Sequence, residues 1–261
     1  VGRTSLFARL QQYAARVYGP VMATGLAVFS GNAGNYWGHN AIIRTRAFAD
    51  CAGLPHLPGR APFGGPVMSH DFVEAALMRR AGWAIEIDPG LSGSYEESPP
   101  SLVDLAERDR RWCQGNLQHA RLVVAKGLHP VSRMHFVIGI MSYLAAPLWL
   151  AFLVSGLLLA LQAHFVRPDY FAADFTLFPT WPVIDSERAL GLFAATMAVL
   201  LLPKLFGLLV ALVSGPVRRG LGGPLRATGG MLLETIVSAL LAPVMMALQS
   251  AAVFQILAGR D

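Results

Sequence analysis

Two groups of side chains, 41 positions apart, could do chemistry together. Ser69-His70-Asp71 presents one carboxylate, and Arg108-Asp109-Arg110-Arg111-Trp112 presents three guanidinium groups and an indole. A carboxylate fixed at the start of a helix can take a proton from an attacking hydroxyl. Guanidinium groups grip phosphate oxygens through paired hydrogen bonds, and an indole is a flat apolar face on which a ring can stack. Such a set suits the movement of a sugar off a diphosphate. Taken singly, the same residues have plainer readings: Asp71 as a helix N-cap, Trp112 as core or interface packing.

These groups need elements to hold them. Val73, Leu77 and Met78, interleaved with Glu74, Arg79 and Arg80, predict a helix over 72–81. Trp83 to Asp88 reads as a short strand, Pro89 to Gly93 as a turn and Ser94 to Pro100 as a loop. Leu102 and Leu105 predict a helix from Ser101 to Trp112, and Leu117 to Pro130 continues from the motif as an amphipathic helix whose Arg121 and Lys126 would face anionic headgroups. Upstream, residues 4–18 predict an amphipathic helix, packed on its own domain or lying at a membrane surface. The apolar run Gly19 to Phe29 is too short to span a bilayer. Ser30 to Asn35 is a loop, Tyr36 to Arg44 a strand with Trp37 and Ile42 inside, Ala47 to Cys51 a short helix, and Leu54 to Val67 a Pro/Gly-rich loop.

The pairing of Asp71 with Arg-x-x-Arg-Trp resembles the Thr-Glu-Asp and Gln-x-x-Arg-Trp motifs of processive family 2 glycosyltransferases. Tyr36 to Arg44, Ser69 to Trp83 and Arg108 to Asn116 narrow the resemblance to the glucans biosynthesis glucosyltransferase H family, across the whole chain. Ser69-His70 replaces Thr-Glu, and Arg108 replaces the leading Gln. The resemblance implies an α/β chain: the acceptor-side part of a GT-A glycosyltransferase domain over residues 1–135, then a membrane region over 136–261. It implies inverting transfer of glucose from UDP-glucose into a β-1,2-linked periplasmic glucan, with Asp71 as the base. Arg111, with Arg108, would steady the departing UDP, and Trp112 would stack the acceptor sugar. Gly38, His39 and Asn40 fall where the family keeps an acceptor-facing loop, although His39 reads equally as a structural histidine. The family's divalent cation, Mg or Mn, is held by an Asp-x-Asp that this chain lacks, so its ligands and the donor half are expected ahead of Val1. Implied partners are the growing glucan, the lipid bilayer, acyl carrier protein and periplasmic glucan-processing proteins.

Composition supports a membrane setting independently. The 261 residues are 54% hydrophobic and only 14% charged, against about 25% charged in soluble domains. The net charge of +5 comes without any nucleic-acid recognition motif, so no nucleic acid is expected as a partner. Two cysteines, Cys51 and Cys113, make no disulfide scaffold, no His or Cys spacing suggests a metal site, and Cys113 reads as packing. Apolar runs at 136–162, 189–214 and 231–258 are candidate membrane helices. The loop Gly215 to Gly230 carries Arg218, Arg219 and Arg226 with no acid, and Ala163 to Arg188 is acid-rich. Loop charge therefore predicts a multi-pass protein with the Asp71 segment in the cytoplasm, and the resemblance implies that the membrane is the bacterial inner one. Lys204 and Glu234 sit inside apolar runs; they would pair, or Lys204 would line a polymer path or snorkel to the interface. Another polysaccharide synthase of the same family is the nearest alternative. A transport subunit would account for the helices but leave Asp71 and the Arg/Trp run unexplained.

Overall fold

The computed structural model describes residues 5–37, 40–51, 53–91, 93, 96–166, 178 and 185–259. Among these, eight helices carry the chain: α1 Leu6–Ser30, α2 Thr45–Cys51, α3 His70–Arg80, α4 Leu102–Leu122, α5 Pro130–Phe165, α6 Ser186–Val213, α7 Gly215–Gly220 and α8 Pro224–Leu257.

Neither expected strand forms a ladder among the described residues, and Asn40, within the first of them, has a left-handed φ of 58°. Their place is taken by one parallel bridge, Ala33 to Ile85, in which Gly34 N–H donates to the Ile85 carbonyl (2.8 Å) and Ile85 N–H to that of Asn32 (3.0 Å). Gly34 has to be a glycine here, because a Cβ would stand 2.9 Å from the Ile85 carbonyl oxygen. A strand is stable only with neighbours on its hydrogen-bonding edges, and none of the described segments provides them. Ile42, expected inside, is 98% exposed.

Two helices end elsewhere than their sequence suggested. The amphipathic segment and the apolar run after it form one helix, α1, continuous through Pro20. The Ser101–Trp112 helix continues as expected, but as α4 it ends at Leu122, short of Pro130. Ser101 caps α4 by accepting a hydrogen bond from Asp104 N–H. At its other end, Arg133 of α5 donates to the carbonyls of Val123, Ala125 (2.7 Å) and Leu128. Arg121, expected to face headgroups, donates to the Pro58 carbonyl.

Helices α5, α6 and α8 are long and apolar enough to cross a membrane, with mean hydropathies of 2.3, 2.3 and 2.0. Helix α5 has two parts. All its buried residues lie at or before Ala146, where it underpins α3 and α4. Residues 151–166 are exposed throughout, an all-round apolar surface suited to lipid. Helix α8 is buried near both ends, at Ala227 and Glu234 and at Ser250, Val253 and Ile256. Its start packs on α1 through Ala227 and Val17, and its last turns pack on α4 through Val253, Ile256, Cys113 and Leu117.

The anticipated pair in the apolar region is formed. Lys204 Nζ lies 2.7 Å from Glu234 Oε2. Tyr18 donates to the same oxygen (2.9 Å) and Ser238 to Oε1 (2.7 Å), so one carboxylate ties α6 and α8 to α1. Gly207 allows α1 to approach, since a Cβ there would meet the Val17 carbonyl oxygen at 2.8 Å.

Candidate functional site

Asp71 is the second residue of α3. Ser69, not Asp71, holds the N-cap position, and its hydroxyl donates to Asp71 Oδ1 (3.1 Å). A carboxylate in a first turn is favoured by the positive end of the helix dipole. It is half-buried, open enough to meet a substrate. Glu74, one turn on, is buried and accepts hydrogen bonds from Tyr36 Oη and from His70 Nδ1 (3.2 Å). Burial, then the Glu74 and Asp71 carboxylates, push the Tyr36 phenol up, so it remains a donor at any physiological pH.

The loop before Asp71 is held by α4. Gln118 accepts from Met68 N–H (3.0 Å) and donates to the carbonyls of Gly64 (3.3 Å) and Pro66 (3.1 Å). His119 Nε2 lies 3.3 Å from the Ser69 carbonyl, with its proton donated there. Gly115 is the point of closest approach: a Cβ would stand 2.9 Å from both Ser69 N and Ser69 Cβ. An edge-and-face row of rings, Trp37–Phe72 (6.2 Å), Phe72–His119 (5.3 Å) and His119–Phe136 (4.8 Å), ties these pieces to α5.

Helical spacing then fixes what faces Asp71. Arg108, Arg111, Trp112 and Gly115 stand at i, i+3, i+4 and i+7 and share one face of α4. Gly115 touches Ser69, so the same stripe carries Trp112 and Arg111 about 4.5 and 6 Å further along the helix axis from that contact. Trp112 is 47% exposed, and the Arg108 guanidinium lies over its ring, 4.6 Å from the centroid. Arg111 is exposed. One face of the site thus offers a carboxylate, the other an indole with guanidinium groups beside it.

Of the acceptor-loop residues, Gly38 and His39 lie outside the described residues. Asn40 has φ of 58°, a left-handed conformation that asparagine tolerates better than most residues. Cys113, on the opposite face of α4, is fully buried, and burial with the nearby Asp109 charge pushes its thiol up to about 12. It is packing, as its sequence context suggested. Among the described residues no three His, Cys, Asp or Glu side chains converge as a metal site. The donor set does not fit a divalent cation, and no step below passes through one.

The family model described as Glycosyl transferase family group 2 matches residues 13–207, and the chain belongs to that family. Within it, the chain is similar to proteins named Glucans biosynthesis glucosyltransferase H. It is 63% identical over 257 residues to that of Rhodopseudomonas palustris, covering 98% of this chain. It is 61% identical over 261 residues to that of Vibrio cholerae and 59% to that of Shewanella baltica, each covering all of this chain. The chain spans about a third of the length of these relatives (36%). No solved structure matches it.

Proposed function

We propose that this chain is the acceptor-side and membrane part of a glucosyltransferase of the inner membrane that builds the β-1,2-linked backbone of periplasmic glucans from UDP-glucose. The support is the Gly115–Ser69 contact, which sets the start of the Asp71 helix against the Arg108–Trp112 stripe.

In this reading Asp71 takes the proton from the acceptor hydroxyl. The acceptor oxygen bonds to the anomeric carbon of the donor, while the bond from that carbon to the diphosphate breaks and UDP leaves with the electron pair. Attack opposite the leaving group inverts the anomeric centre. Arg111 meets charge growing on the diphosphate. The Trp112 ring carries the terminal acceptor sugar, and Arg108, stacked on its far side, holds the indole in place. Asn40, with Gly38 and His39, belongs to the loop bordering the acceptor. Loop charge favours the cytoplasmic face for the site, where nucleotide sugars are made.

The test is Asp71→Asn in the full-length protein, assayed for incorporation of radiolabelled glucose by membranes. The variant should insert normally and lose at least about 100-fold in rate, the lower end of the range for losing a general base. Turnover within threefold of wild type would reject the base assignment. Linkage analysis of the product separates this reading from another polysaccharide synthase of the family.

A further inference from the structure

Asp109 sits inside the Arg108–Trp112 run but at the edge of that stripe, turned towards the side of α4 that carries Ala106 and Cys113. Both of its carboxylate oxygens are taken. Oδ1 accepts from the Tyr143 hydroxyl of α5 at 3.2 Å, and Oδ2 accepts from Gln249 Nε2 of α8 at 2.7 Å. Apolar packing alone does not fix α4 at this level, because a cavity of about 250 Å³ opens beside it, lined by Ala106, Cys113, Tyr143, Met245, Leu248 and Gln249 among others. Where shape complementarity is incomplete, two directional hydrogen bonds determine the rotation of the helix about its axis.

That rotation matters for the stripe beside it. A turn of about 15° would carry an indole some 7 Å from the helix axis through about 2 Å, and misplacement of about 1 Å at a reacting centre can cost about 100-fold in rate. We infer that Asp109 is a positioning residue: held by Tyr143 and Gln249, it sets the angle at which α4 presents Trp112 and Arg111 to Asp71. The inference rests on the transfer reaction proposed above. It gives α5 and α8 a part in the reaction, through one carboxylate.

The experiment uses the full-length enzyme in membranes, with Asp109→Asn, Asp109→Glu and Gln249→Leu compared alongside Asp71→Asn. Asparagine keeps the length of the side chain and both hydrogen bonds, since its Oδ1 accepts from Tyr143 and its Nδ2 donates to Gln249 once that amide turns over. It should retain at least half the wild-type kcat. Glutamate keeps the charge but lengthens the arm by one methylene, and Gln249→Leu removes one restraint. Each should lower kcat at least about tenfold while KM for UDP-glucose stays within twofold, with rates expressed per mole of folded enzyme, quantified as the monodisperse fraction of the solubilised protein, so that loss of folded protein is not read as a lower kcat. Wild-type kcat in Gln249→Leu, or an Asp109→Asn loss equal to that of Asp109→Glu, overturns the proposal, whether or not the Glu variant accumulates. If Asp71→Asn is inactive while Asp109→Glu is fully active, only the positioning role fails. An active Asp71→Asn removes the transfer reading itself.

Discussion

Asp71 and Trp112 stand out in the sequence because a carboxylate and an indole are chemically informative and lie within motifs. The residues that bring them together do not. Gln118 and His119 act through backbone carbonyls and N–H groups of the 64–69 loop, and such targets leave no pattern in the sequence. His119 also carries a pH consequence. Burial holds its imidazole down at about 4, below the ordinary value of 6.5, against a smaller upward pull from the Ser69 carbonyl. Between these values the unfolded chain binds a proton that the folded one does not. Stability is therefore full above pH 6.5 and falls as the pH drops towards 4, by up to about 1.4 kcal/mol per unit. Thermal unfolding of the detergent-solubilised full-length protein should show this slope, and His119→Gln should flatten it. An unchanged slope in the variant would mean that another group titrates.

At the scale of elements, the sequence marked most helices and misplaced several ends. The helix expected from Ser101 to Trp112 runs on to Leu122 through Gly115, where the glycine serves a close approach rather than a turn. The helix expected over 4–18 likewise continues through Pro20 to Ser30. The strands expected over 36–44 and 83–88 are absent among the described residues: a strand needs a paired neighbour, and Ile85 meets only Ala33, in a single bridge. The contact at Gly115 gives a sharp expectation. Gly115→Val places branched carbon against Ser69 N, which is backbone and cannot rotate aside, so α4 and α3 must separate. Glucan synthesis should fall at least about tenfold, with membrane insertion intact because α5, α6 and α8 are untouched. Normal synthesis in that variant would show that the α3–α4 spacing does not matter to the reaction.

Across the whole molecule, composition and loop charge disclosed a membrane protein, while the path of α8 was not visible in them. Over its 34 residues its first turns rest on α1 and its last on α4, the arrangement of a helix that runs beneath the site and holds it from below. Hydropathy reports only that such a helix prefers an apolar surrounding; protein contacts decide its direction. The Lys204–Glu234 pair joins α6 to the start of α8, with Lys204 23% and Glu234 9% exposed. Removing one partner from a buried pair leaves a stranded charge, so Lys204→Met should cost about 3 kcal/mol. Lys204→Met with Glu234→Leu should recover most of that in thermal unfolding, as both charges are then gone. A double variant no more stable than the single would mean that Glu234 is held chiefly by Tyr18 and Ser238.

The account turns on Asp71 meeting the Arg111–Trp112 face of α4 and not the Asp109–Arg110 face. Cysteine pairs in the full-length protein, with Cys51→Ser to remove the native partly exposed thiol, test this in native membranes with a short bis-thiol cross-linker. The pair at positions 71 and 112 should cross-link efficiently, and the pair at 71 and 110, on the opposite side of the helix, should not. Cross-linking of 71 to 110 with none to 112 would contradict it.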